Sequence, residues 1–226
     1  MPRLRGPKAV KPIETSSFLL NHYFFGSHER GGQTPNVIDH RLPVQWEELY
    51  GRAAALEVEI GFNRGVFLCD LAKEQPSINV LGIEIQRRFC WRLANLLEEA
   101  VDSPTNLKTI WADAKVVTSM LLPPGSVDAF YINFPDPWWK KRHHKRRLVS
   151  TAFAHDLVTA LKPGGEIWVK SDVLAIADEI RDALSDNQGL ELGGPYSAEC
   201  KPLTHRERKC IEQGMDIYRF RFRRSQ

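Results

Sequence analysis

The chain has 226 residues, 42% of them hydrophobic and 26% charged, which are the proportions of a folded domain and exclude a collagen, a coiled coil or a wholly disordered chain. Lys and Arg number 31 against 28 Asp and Glu, so the net charge of +3 does not by itself argue for a nucleic-acid partner. No apolar run approaches the ~18 residues of a membrane span, and the basic start MPRLRGPKAVKP has no apolar segment behind it, so neither a membrane-embedded nor a secreted protein is expected.

Residues 1–35 mix Pro, Gly and basic residues with neither helical nor strand periodicity, and are expected to form a mobile or loosely docked arm before a single domain over 36–226. From Ala53 onward short apolar runs alternate with longer amphipathic stretches, the pattern of βαβ units. Strands are predicted over 56–60, 78–85, 107–112, 127–133 and 167–170. Helices are predicted between them over 66–73, 87–100, 116–122 and 148–161, the last closed by Lys162-Pro163-Gly164-Gly165. A helix over 174–184, a short strand near Leu190, a helical turn near Thr204 and a final strand complete the chain. In that last strand Tyr218, Phe220 and Phe222 alternate with Arg219, Arg221 and Arg223, as in an antiparallel, half-covered strand. The expected fold is α/β: a doubly wound, mostly parallel seven-stranded sheet with an antiparallel edge strand, whose ligands bind beyond the carboxyl ends of the strands.

Chemistry should therefore follow the strands. The first strand leads into Glu59-Ile60-Gly61-Phe62-Asn63-Arg64-Gly65, a glycine loop that lets backbone approach a ligand but lacks the third glycine of a dinucleotide site. An acid at that strand end suits a cationic ligand such as S-adenosylmethionine, although a carboxylate facing water reads the same way. The second strand ends at Glu84, about 20 residues on, where an acid accepts both hydroxyls of a ribose. Asp113 after the third strand is placed to accept from an adenine amine.

The fourth strand runs into Asn133-Phe134-Pro135-Asp136-Pro137-Trp138-Trp139 and then Lys140-Lys141-Arg142-His143-His144-Lys145-Arg146-Arg147. Two prolines restrict the backbone around Asp136, and the tryptophans offer faces for a base to stack on or serve as core anchors. Six of the eight residues 140–147 are basic, leaving 25 basic residues against 28 acidic ones in the rest of the chain. An isolated run of this kind reads as a solvated loop or a targeting patch; attached to the preceding acid and aromatics it reads as a grip on phosphates. His143 and His144 come with no HExxH or Cys/His ligand set, so no metal is expected. Cys69, Cys90, Cys200 and Cys210 show no CxxC spacing, which fits a reducing cytoplasm.

Glu-Ile-Gly-Phe with its following glycine, Gly-Ile-Glu-Ile, Asn-Phe-Pro-Asp-Pro-Trp with the basic run, and a late Thr-x-x-Glu together resemble the tRNA (guanine-N7)-methyltransferase family over residues 56–214. The resemblance implies a Rossmann-like class I methyltransferase fold and methyl transfer from S-adenosylmethionine to guanine N7 in the tRNA variable loop. It makes Glu59, Gly61, Gly65, Glu84, Asp113 and Asp136 cofactor contacts, with Asp136 also beside the guanine. Lys140, Arg142, His143, His144, Lys145, Arg146 and Arg147 would contact tRNA, and Asp172 and Thr204 through His205 and Arg206 to Glu207 would finish the guanine pocket. The chain departs from the family at Asn63, where glycine is common, at Arg206, where an aromatic residue stands, and at Ile176, where tyrosine is frequent. The implied partner is tRNA; a monomer or homodimer is expected, with a partner protein neither required nor excluded. From the residues alone two other readings stay open: a methyltransferase for another RNA or a small molecule, and a noncatalytic RNA-binding subunit on the same fold.

Overall fold

The computed structural model of the chain describes residues 16–21, 44–138, 142, 147–194, 196 and 201–226. Its strands are β1 (Leu19–Asn21), β2 (Leu56–Ile60), β3 (Asn79–Glu84), β4 (Leu107–Trp111), β5 (Val127–Asn133), β6 (Leu161–Ser171), β7 (Leu190–Leu192) and β8 (Tyr218–Arg224). Its helices are α1 (Trp46–Tyr50), α2 (Val66–Glu74), α3 (Arg87–Glu99), α4 (Ala114–Val116), α5 (Thr151–Ala160), α6 (Leu174–Ser185) and α7 (His205–Glu212), with a π-helical turn Val117–Leu121 continuing α4. Among the described residues no helix is long and apolar enough to cross a membrane.

The strands form one sheet in the order β1-β4-β3-β2-β5-β6-β8-β7, parallel from β1 to β6, with β8 antiparallel to both of its neighbours. Every residue of β2 and β3 is buried, as expected of parallel strands covered on both faces. On one face α2 and α3 pack Phe67, Leu68, Leu71 and Leu93 against Val80 and Tyr131. On the other, α5 and α6 pack Phe153, Leu157, Ile180 and Leu184 with Val58, Phe130 and Val169. The chain passes from β2 through β3 to β4 on one side and then returns to place β5 on the other side of β2. That reversal opens a crevice at the carboxyl ends of β2 and β5.

The sheet has one strand more than the seven expected. Leu19–Asn21, inside the segment read as an arm without strand pattern, pairs in parallel with Thr109–Trp111 of β4. Three residues are too few to show a period of two, and the pairing is with sequence ninety positions away. The antiparallel strand is present but sits one place in from the edge, which β7 occupies. Helix α5 starts at Thr151 and not at Leu148, because the Ser150 hydroxyl accepts from Phe153 N at 3.3 Å and caps it. Lys162 to Gly165 belong to β6, where the register with β5 jumps from Val127↔Leu161 to Ala129↔Glu166 and the extra residues bulge out. The helical turn near Thr204 is a capped helix: the Thr204 hydroxyl accepts from Glu207 N at 2.9 Å and the Glu207 side chain returns to Thr204 N, a capping box.

A buried ionic group locks α7 onto the sheet. Lys170 of β6 and Arg219 of β8 stand directly opposite each other across the antiparallel pair, two like charges that would repel. Glu207 of α7 is inserted between them, with Oε2 accepting from Lys170 Nζ at 2.7 Å and Oε1 accepting from Arg219 Nη2 at 2.9 Å. Glu207 is wholly buried and Lys170 is 2% exposed. Burial pushes the Lys170 ammonium down from the usual lysine range, and Glu207 opposes that shift.

Glu207→Ala should therefore destabilise the fold by about 3–5 kcal/mol, since it leaves the buried Lys170 and the half-buried Arg219 facing each other; a urea midpoint equal to that of the parent chain would refute this role. Gly65, with φ of 72°, precedes α2, and a Cβ there would lie 2.5 Å from a Leu93 methyl. Gly65→Ala should cost about 2 kcal/mol in the same titration, from positive φ and the forced movement of Leu93.

Candidate active site

A cleft of about 1270 Å³ opens at the carboxyl ends of β2 to β5 and is closed on one side by the start of α7. One half is rich in acceptors. Glu59, next to last in β2, is buried and receives Asn133 Nδ2 on Oε1 at 3.0 Å, while its Oε2 has no hydrogen-bond partner in the protein. Burial pushes its carboxyl up to about 8, against the Asn133 hydrogen bond and the charge of Lys170. Glu84, ending β3, is buried and clamped by two backbone N–H groups, from Asn63 at 2.9 Å and Gln86 at 2.8 Å. Desolvation raises its pKa and those two bonds oppose the rise. Each oxygen retains acceptor capacity for a hydroxyl. Asp113, after β4, accepts from Lys115 N at 2.9 Å and caps α4 at the cleft wall.

The glycine loop divides its tasks. Gly61 lines the cleft with φ of 77°, and Asn63 adopts φ of 50°, the left-handed conformation that its place in the glycine pattern requires. Gly65, expected to touch the cofactor, is not on the cleft wall; it is glycine because Leu93 packs against it.

Asp136 is exposed and lines the same cleft on the loop after β5, near enough for its charge to act on Glu84. That loop is held in an unusual conformation: Phe134 and Trp138, flanking the Pro-Asp-Pro core, have φ of 50° and 44°. Phe134 N donates to Lys170 O at 2.7 Å, and Arg147 Nε donates to Pro137 O at 3.3 Å while its guanidinium pairs with Glu179 of α6. Arg147, expected on RNA, is thus a fastening for the Asp136 loop. Trp138 is half-buried and lines the cleft, and Arg142 is exposed. Trp139, Lys140, His143, His144, Lys145 and Arg146 lie outside the described residues.

Asp172, after β6, and the start of α7 form the third wall. Asp172 Oδ2 accepts from Arg206 Nε at 3.0 Å and from Arg206 Nη2, so the cation that replaces an aromatic residue is spent on the neighbouring acid. His205 Nε2 is 3.3 Å from Arg64 Nη1; burial and the charge of Arg64 lower its pKa. Thr204 lines the cleft beside them. Glu207, expected in the guanine pocket, is not on the cleft wall, because both of its oxygens are committed to Lys170 and Arg219. Ile176 is buried in the core between α6 and the sheet.

Sequence reasoning did not single out Asn133 or Lys170. Each had a signal: a polar residue near the carboxyl end of its strand, directly after an apolar run, Ala129–Ile132 before Asn133 and Ile167–Val169 before Lys170. The carboxyl ends of strands are where ligands bind in such sheets. Three acids on three successive strand ends make a wall that accepts hydrogen bonds and tolerates positive charge, the chemistry that a cationic nucleoside requires.

Comparisons with known proteins agree with this geometry. A family described as a putative methyltransferase matches residues 53–220. The tRNA (guanine-N(7)-)-methyltransferase of Synechococcus sp. (strain JA-3-3Ab) is 36% identical over 184 residues, covering 79% of this chain and 76% of that protein. The enzyme of the same name from Syntrophotalea carbinolica is 35% identical, covering 81% and 80%. Among solved structures, the 16S rRNA methyltransferase KamB superposes with a TM-score of 0.60 at 16% identity, covering 80% of this chain and 93% of that one. The 16S rRNA (adenine(1408)-N(1))-methyltransferase of Catenulisporales acidiphilia gives 0.57 at 16% identity, over 80% and 91%, and confirms the class I methyltransferase fold. With its strand-end acids and its FPDPW loop set around one cleft, and with these enzymes aligned over most of its length, the chain belongs to the tRNA (guanine-N7)-methyltransferase family.

Proposed function

We propose that the chain binds S-adenosylmethionine in the acid-lined half of the cleft and methylates N7 of a guanine in the tRNA variable loop, forming 7-methylguanosine. The observation that carries this reading is that Glu59, Glu84, Asp113 and Asp136 line one cleft, with the basic run following Asp136 closely in the sequence. Glu84 would hold the ribose diol, Asp113 the adenine amine and Glu59 the cationic amino-acid tail. The cofactor, once bound, supplies a methyl group activated by a sulfonium.

Guanine N7 carries an in-plane lone pair and no proton, so its attack requires alignment and exclusion of water but no general base. Asp136 accepts from the guanine N1–H and N2–H groups. It thereby selects guanine over adenine and stabilises the positive charge that enters the purine as the methyl arrives. The constrained loop around Asp136, fastened by Phe134 N and Arg147, keeps this carboxylate in position without reorganisation. Lys140, Arg142, His143, His144, Lys145 and Arg146 would grip the RNA backbone, and the Asp172–Arg206 pair and His205 would meet the target nucleotide's flank. The enzyme acts in the cytoplasm as a monomer or homodimer.

Purified chain incubated with labelled S-adenosylmethionine and unmodified tRNA should yield 7-methylguanosine on nucleoside analysis; cofactor binding without product would point to another substrate. Asp136→Asn should lower kcat by at least about 100-fold while cofactor and tRNA still bind, and near-parental turnover would remove Asp136 from the mechanism. Replacing Lys140, Arg142, Lys145 and Arg146 by Ala should raise the tRNA KM and flatten its salt dependence by about one unit of slope per lost phosphate contact. Cofactor affinity should not change, and an unchanged salt slope would assign the run no RNA contact.

A further inference from the structure

At the junction of β2 and β5 the protein leaves two polar atoms unsatisfied. Asn133 Nδ2 donates to Glu59 Oε1 at 3.0 Å, and with Glu59 ionised this single bond leaves Glu59 Oε2 and Asn133 Oδ1 buried without any donor. Both residues line the cleft, and Glu59 is 3% exposed. Buried acceptors without donors are costly, and an ionised carboxylate among them more so.

The groups around Glu59 do not remove that cost. Lys170 of β6 favours the charged carboxylate, Glu84 of β3 opposes it, and Cys69 of α2 is a neutral thiol pushed up to about 11 by burial. Lys170 is itself committed to Glu207 at 2.7 Å. Desolvation outweighs the remainder and raises Glu59 to about 8, so at neutral pH this side chain is a carboxylic acid.

We infer that Asn133 and Glu59 together seat the α-ammonium of the cofactor's amino-acid tail, and that seating it expels a proton from Glu59 into solvent. The inference rests on the cofactor reading above. An ammonium offers three N–H donors, and the two orphaned oxygens are adjacent acceptors for it. The balance is simple: Glu59 enters as the neutral acid and the ligand as the ammonium, the complex contains carboxylate and ammonium, and one proton leaves to water. Asn133 cannot titrate. Its amide nitrogen fixes the Glu59 carboxyl through Oε1, and its oxygen remains an acceptor at every pH, so it is a positioning residue and a second ligand at once.

The sign of the pH dependence follows. The complex holds one proton fewer than its separated components, so affinity rises with pH below about 8, by at most about tenfold per unit. Once the pH passes the pKa of the ligand's own amine, that amine becomes neutral and the gain reverses.

The test is calorimetric titration of the full chain at about pH 6.5 in buffers of different ionisation enthalpy. S-adenosylhomocysteine carries the ammonium; 5′-methylthioadenosine retains the nucleoside and thioether but lacks it. Close to one proton should be released per S-adenosylhomocysteine bound and none per 5′-methylthioadenosine. The isosteric Glu59→Gln should bind the first ligand more weakly and release no proton. Asn133→Leu should weaken it by about tenfold, with 5′-methylthioadenosine binding unaltered, which also verifies that the variants are folded. A parental proton count near zero, the same count in Glu59→Gln, or full discrimination between the ligands by Asn133→Leu would overturn the inference and leave the cofactor reading intact. Failure of the parental chain to bind either ligand would overturn both.

Discussion

Glu207, held between Lys170 and Arg219, is the interaction on which the rest of the architecture depends. Three elements, β6, α7 and β8, meet at one carboxylate with almost no access to water. In isolation each charge would be expensive to bury; together they satisfy both carboxylate oxygens, and the capping box gives the same side chain a third task at the start of α7. The site needs this rigidity because α7 has little hydrophobic surface with which to dock: of its eight residues only Glu207 and Cys210 are buried. Polar contacts reinforce it, from Arg208 to Asp70 of α2 at 3.0 Å and from His205 to Arg64 of the glycine loop. The helix that closes one side of the cleft is thus electrostatically anchored.

The same lysine connects the two functional halves of the cleft. Lys170 Nζ holds Glu207 and its charge reaches Glu59, while its carbonyl oxygen receives Phe134 N at the root of the Asp136 loop. One residue on β6 therefore holds Glu207 of α7, acts on Glu59 through its charge and ties down the root of the Asp136 loop. The division of labour among acids follows from burial. Glu59 and Glu84 are enclosed and pushed toward neutrality. Asp136 is exposed at the cleft wall, open to whatever enters the cleft.

Arg206 illustrates how a departure from the family pattern is absorbed. A cation in place of an aromatic residue has no plane to pack beneath a base, and here it makes a two-point contact with Asp172, the adjacent acid of the same wall. The pair presents a nearly neutral surface where the pattern alone implies a bare carboxylate. Asp136 is left as the exposed acid of that half of the cleft.

Much of this protein was determined by sequence alone, for reasons of local physics. The alternation of short apolar runs with amphipathic helices specifies a parallel sheet, and its strand ends locate Glu59, Glu84, Asp113 and Asp136, because in such sheets the ends of strands are where ligands bind. The rigid Pro-Asp-Pro and the basic run beside it are likewise legible, since prolines and charge runs carry their properties wherever they stand. Tertiary structure decided what depends on partners distant in the chain. It added Leu19–Asn21 to the sheet, moved Gly65 from ligand contact to packing against Leu93, and turned Arg147 into a brace for the Asp136 loop. It withdrew Glu207 from the cleft into the core and brought Asn133 onto Glu59. A side chain's type is written in the sequence, but its burial and its hydrogen-bond partners are properties of the packed fold, and those two quantities decide whether a charge binds a ligand or holds the protein together.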